Sequence, residues 1–147
     1  MPDNQWDEIL AAAAGEVLET MFFAGVYGPA EPGASLTGRH LAARLGFEGT
    51  PSGALTLSIS EPAVRALAAN FLAADDDAAP PVSQLGSVVC ELANIVCGSL
   101  LSRVKTEEHF RLSSPELLPE GAACPPVPPN QSLDVGDGNI DLWLALD

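Results

Sequence analysis

Apolar residues first recur at helical intervals. In residues 6 to 23, "WDEILAAAAGEVLETMFF", they fall at Trp6, Leu10, Ala13, Ala14, Val17, Leu18 and Met21, the spacing of a helix with one buried face. The segment is rich in good helix formers. Gly25, Gly28 and Pro29 end it, leaving "GPAEPGAS" as a loop. The period then shortens to two. Leu41, Ala43, Leu45 and Phe47 alternate with their neighbours, and Leu55, Leu57 and Ile59 do so again after the turn signal "GTPSG". That pattern predicts a β-hairpin with one buried face.

Ser60 stands as an N-cap, with Glu61 and Pro62 in the first helical turn, where both are favoured. The helix it opens would bury Val64, Leu67, Ala68, Phe71 and Leu72, and "ADDDAAPP" breaks it. A second long helix is expected from about Ser83 to Lys105. "HFRLSSPELL" follows as a strand interrupted at Pro115, then "CPPVPPN" as an extended loop. Finally "SLDVGDGNIDLWLALD" pairs a short strand with a longer one through "GDGN", with Ile140, Leu142, Leu144 and Leu146 facing inward. The order α, β, β, α, α, β, β, β predicts an α+β fold. Its sheet is mainly antiparallel, and two long helices and one shorter helix pack on one face. A chain of 147 residues suits one domain, 1–147, with loops at 30–40, 73–82 and 122–131.

Composition narrows the functions. Only 5% of residues are aromatic, so alanine, leucine and valine must fill most of the core. Six basic against twenty acidic residues give a net charge of -14, which repels phosphate backbones and anionic lipid. Nucleic acid and membrane surfaces are therefore not expected partners. The start "MPDNQWDEIL" carries acids where a signal peptide needs bases. No run is expected to reach the roughly 20 apolar residues of a membrane span, so the location expected is cytoplasmic. No metal site is expected. Cys90 and Cys97 are seven apart on one helix, Cys124 sits in the proline-rich loop, and His40 and His109 stand alone.

The 83–105 helix carries the candidate chemistry. With about 100° per residue, Leu85, Val88, Val89, Leu92, Ile95, Val96, Ser99 and Leu100 gather on one broad side. Ser87, Glu91, Asn94 and Gly98 share an arc of about 60° on the other. A glutamate and an asparagine on an outer face can serve solubility alone. Here, however, Glu91 is the single charged side chain from Ser87 to Ser102. The face, with Ala93, Cys90 and Cys97 expected along its margins, suits docking a partner better than simply being wet. Gly98, unfavourable in a helix by about 1 kcal/mol relative to alanine, leaves backbone open to close approach.

The pattern Ser87-x3-Glu91-x2-Asn94-x3-Gly98, in "SVVCELANIVCG", resembles the signature of the CheC/CheX/FliY chemotaxis phosphatases. These proteins act on phosphorylated CheY-type response regulators. "VLETMFF", "RLGFEGTPSGALTLSIS" and "FRLSSPELLPEG" also look like the CheX-like domain, so the resemblance runs from about residue 6 to 121. It implies hydrolysis of the phosphoaspartate of a CheY-type receiver domain in two-component signalling. Asn94 would orient a water for in-line attack and Glu91 would pair with a lysine of the partner, with Ser87 and Gly98 as partner contacts. No cofactor of its own is implied, because Mg²⁺ would come with the phosphorylated partner.

The family's internal repeat would superpose Ala12, Glu16 and Glu19 of the first helix on Ser87, Glu91 and Asn94, with Phe23 at the place of Gly98. That copy reads as a worn-out site. Homodimer formation through the sheet stays open, with "IDLWLALD" either at its edge or inside it. Two other functions also stay open. One is a non-catalytic module of the same fold, docking on a response regulator or a flagellar-switch component. The other is an enzyme using Cys90 or Cys97 as nucleophile, which would need a histidine or a helix N-terminus to lower the thiol pKa.

Overall fold

The computed structural model describes residues 3–21, 28–29, 40–49, 52–72, 82–104, 110–118, 129–135 and 138–146. Three helices are found: α1 (Asp3–Met21), α2 (Glu61–Leu72) and α3 (Val82–Arg103). The strands are β1 (Gly28–Pro29), β2 (His40–Glu48), β3 (Gly53–Ser60), β4 (Arg111–Leu112), β5 (Glu116–Leu117), β6 (Gln131–Asp134) and β7 (Asn139–Leu146). The expected loops 30–40, 73–82 and 122–131 lie almost entirely outside the described residues.

The strands form one antiparallel sheet in the order β1-β6-β7-β3-β2-β4, with β5 also on β2. The hairpin alternation holds. Leu41, Ala43, Leu45 and Phe47 of β2 are buried beside Leu55, Leu57 and Ile59 of β3, because a two-residue period sends each to the same side of the pleat. Pro115 does interrupt the next strand: β4 and β5 bond to β2 on either side of residues 113–115. There Ser113 is fastened to Gly46. Its amide donates to the Gly46 carbonyl at 2.8 Å, and its Oγ accepts from the Gly46 amide at 2.8 Å.

The apolar face of the sheet is covered by the helices. α3 lies over β2, β3 and β5, and it also packs against α1 and α2. Its segment Gln84–Arg103 is by length and composition apolar enough to cross a membrane, contrary to the expectation that no run would be. More than half of that segment is buried inside the protein, as in the core helix of a compact fold. α1 contributes Trp6, Leu10, Ala13, Ala14, Val17 and Leu18 to the same core.

Two features depart from expectation, and one alternative left open is decided. Gly28 and Pro29, read as loop, pair with Asp134 and Leu133 as β1. β7 is inside the sheet, with β3 along one side and β6 along the other, so of the two placements left open for this strand it takes the inner one. Its terminal stretch outreaches β6, and Asn130 covers part of the gap. The Asn130 amide donates to the Leu142 carbonyl, and its Oδ1 accepts from the Leu144 amide, both at 2.8 Å. Burial on β7 is also two-sided. Ile140 and Leu142 face the core as expected and Leu144 and Leu146 are only half-buried, but Asp141 and Trp143 on the opposite face are buried too. Asp141 accepts a hydrogen bond from Ser132 at 2.7 Å, which satisfies a carboxylate that burial would otherwise penalise.

Ser60 closes β3 immediately before α2, and its Oγ accepts from the Asn139 amide at 3.3 Å. Gly138 is needed at this junction, since a Cβ there would collide with the Ser60 hydroxyl and touch Ala63.

Candidate functional site

Three neighbours enclose α3, so it is buried over far more of its circumference than a surface helix. Leu85, Val88, Val89, Leu92, Val96 and Leu100 are buried as the helical wheel predicts. Ala93, Cys97, Leu101 and Val104 are buried as well, extending the buried arc to about 220°. The expectation that Ala93 and Cys97 border an exposed face is therefore corrected: both are core residues packed against neighbouring elements. Cys90 and Ile95 are half-buried.

The open side of α3 includes the predicted strip, with Gln84, Ser102 and Arg103 exposed as well. Ser87 and Glu91 are exposed, and Asn94 and Gly98 are half-buried. A Cβ on Gly98 would meet nothing within 4 Å. Ser87 has an interaction partner of its own within the protein. Among the described residues Glu91 and Asn94 have neither a hydrogen-bond nor an ion-pair partner. The four predicted positions thus share one strip, and its carboxylate and its amide are both available.

The corresponding strip on α1 is different. Ala12, Glu16 and Glu19 are exposed, but Glu16 accepts an ion pair from Arg103 at the end of α3. Phe23 lies outside the described residues. One helix presents its acid to solvent, and the other holds its acid against its neighbour.

The two thiols among the described residues, Cys90 and Cys97, are poor nucleophiles. Burial pushes the Cys97 thiol up to about 12, and burial also raises that of Cys90. Both are therefore protonated near neutral pH, and the thiolate is the reactive form. The strip supplies one carboxylate, too few for a divalent-cation cage of its own. Two clefts formed by described residues lie elsewhere. One is bounded by Gly46, Glu48, Ser52, Arg111 and Ser113 at the end of the sheet, and another by Trp6, Asp7, Asn130 and Leu144. Neither includes Glu91 or Asn94. A ridge-borne glutamate and amide are suited to entering a partner's cavity, not to enclosing a small molecule.

The family model for the chemotaxis phosphatase CheX matches residues 41–123, more than half of the chain and all of α3. The chain belongs to the CheX family. Solved structures agree in fold. The chemotaxis protein CheX of Vibrio vulnificus is 16% identical over 97% of each chain, with a TM-score of 0.73. CheX of Desulfovibrio desulfuricans is 17% identical, covering 97% of this chain and 99% of that one, with a TM-score of 0.72. CheX of Borrelia burgdorferi, solved in a complex with CheY, BeF3 and Mg²⁺, is 16% identical over 96% of this chain and 97% of its own, with a TM-score of 0.71. No curated protein sequence matches the chain.

Proposed function

We propose that residues 1–147 act as a single CheX-like domain that accelerates hydrolysis of the phosphoaspartate of a CheY-type receiver domain. The observation that carries this reading is the pair on α3: an exposed Glu91 and a half-buried Asn94, neither with a partner among the described residues, on a helix buried over more than half of its circumference. The Borrelia burgdorferi CheX, bound to CheY with BeF3 and Mg²⁺, supports the choice of partner; BeF3 is chemically a mimic of a phosphoryl group.

Hydrolysis requires a water in line with the phosphorus–oxygen bond to the aspartate. Attack forms a new P–O bond and releases the carboxylate and inorganic phosphate, with positioning and charge neutralisation supplying most of the rate. The Asn94 amide can donate to and accept from that water, so it can hold the nucleophile without acting as a base. It also adds no negative charge beside an acyl phosphate, where an aspartate would be repelled. Glu91 pairs with a cationic side chain of the receiver, a lysine by family resemblance, and fixes the register through a charge-assisted contact. Ser87 and Gly98 are contacts along the same strip. Mg²⁺ neutralises phosphoryl charge from the partner's side, and the strip has no cage for it. The setting proposed is cytoplasmic two-component signalling.

A docking module without catalysis would be favoured by a buried Asn94 or an engaged Glu91, and α3 has neither among the described residues. The test is the decay of a phosphorylated CheY-type receiver domain from the same organism, with and without the protein. Faster decay with the protein is expected. An unchanged decay with binding intact would leave only the docking reading.

A further inference from the structure

Beside the α3 strip lies the one large apolar side chain that is exposed among the described residues, Leu117, with 44% of its surface accessible. Single exposed leucines are common and need no explanation in themselves. This one has a particular seat. Leu117 sits on β5 opposite Ala43, facing the helical layer. It lies over Gly86 of α3, where an added Cβ would come within 2.7 Å of its Cδ2. Gly86 begins an i, i+4 ridge that continues through Cys90 to Asn94 and Gly98. Asn94 lies eight positions after Gly86, about 12 Å along the helix. A standard interface covers about 800 Å² on each partner, a patch of roughly 16 Å radius. A partner centred on Asn94 therefore reaches Leu117.

The flanks of the strip have the matching chemistry. Cys90 and Leu117 border the polar line on one side, and the half-buried Ile95 borders it on the other. On a chain of net charge -14, the strip carries a single charge, Glu91. A partner presenting an acyl phosphate in an acidic pocket would be repelled by an ordinary acidic surface, and this uncharged border admits it. Apolar contacts around a central polar pair also exclude bulk water from the contact.

Resting on the phosphatase reading, we infer that Leu117 is a docking residue. It packs with Cys90 against an apolar patch of the receiver domain beside the phosphorylation site. It contributes to affinity and specificity and does not touch the reacting atoms. Gly86 is what allows it to lie close enough to α3 to share the interface with Asn94.

The experiment compares wild type, Leu117→Ser and Leu117→Met. It measures binding to the CheY-type receiver domains of the same organism, each activated with beryllofluoride and Mg²⁺, together with steady-state dephosphorylation. Leu117→Ser should weaken binding and raise KM about five- to tenfold, with kcat unchanged. Leu117→Met should restore both. Equal affinity of wild type and Leu117→Ser would overturn the inference whatever the hydrolysis rate. A wild type that binds without accelerating hydrolysis would sink the catalytic reading while the binding curves still decided the role of Leu117. Absence of binding by the wild type to every receiver would overturn both. Should the serine variant melt at a lower temperature, Leu117→Gln, which keeps the stem over Gly86, carries the same comparison.

Discussion

α1 and α3 present outward residues at the same spacing to opposite effect. On α1, Ala12, Glu16 and Glu19 are exposed and Glu16 is held by Arg103. On α3, Glu91 and Asn94 occupy the corresponding positions, and both are without a partner among the described residues. Two acids on α1 would meet a phosphoryl group with like charge, and one of them is already neutralised within the fold. On α3 the acid and the amide are free to meet a partner. A repeated spacing does not by itself make a repeated site. The side chain at the third position, and what its acidic neighbour is bound to, separate the two.

The largest expected effect comes from the amide. Asn94→Ala should lower kcat by roughly 10²-fold or more, the usual consequence of losing one preorganised hydrogen-bonding group. Binding of the beryllofluoride-activated receiver should change little. Next is Glu91→Lys, which replaces a charge-assisted contact with repulsion. An increase in KM of about tenfold or more is expected, without loss of thermal stability, since Glu91 is exposed.

Breaking the α1 contact should matter far less. Arg103→Ala removes a pair whose members are 33% and 60% exposed, so a stability change of at most about 1 kcal/mol is expected in denaturant titrations. Dephosphorylation should be unaffected. The smallest effects sharpen the comparison most. A Cβ at Gly15 or Gly98 would meet nothing within 4 Å. Gly15→Ala and Gly98→Ala should therefore each add up to about 1 kcal/mol of stability. Only Gly98→Ala should raise KM, because the space it fills is the partner's.

Much of this comparison was legible in the sequence. The spacing of Ser87, Glu91, Asn94 and Gly98 fixed their common strip, because a regular helix leaves little freedom once its phase is known. The hairpin and the interruption at Pro115 were equally local signals. The rest depended on neighbours distant in the chain. Ala93 and Cys97 are buried because α3 is enclosed by α1, α2 and the sheet, a matter of layer order and not of period. β1 exists only through pairing with residues about a hundred positions away, and a Gly-Pro dipeptide gives no sign of it. Leu117 read simply as part of a broken strand. Its place over Gly86 requires β5 to pair with β2, so no local pattern could bring it to the site.

The most direct test of the difference between the helices is dephosphorylation of a phosphorylated CheY-type receiver at saturating concentrations of two variants, Asn94→Ala and Glu19→Ala. Asn94→Ala should leave the receiver decaying at its spontaneous rate, and Glu19→Ala should accelerate decay as wild type does. If Asn94→Ala retained the acceleration, or Glu19→Ala abolished it, the assignment of the chemistry to α3 would be contradicted.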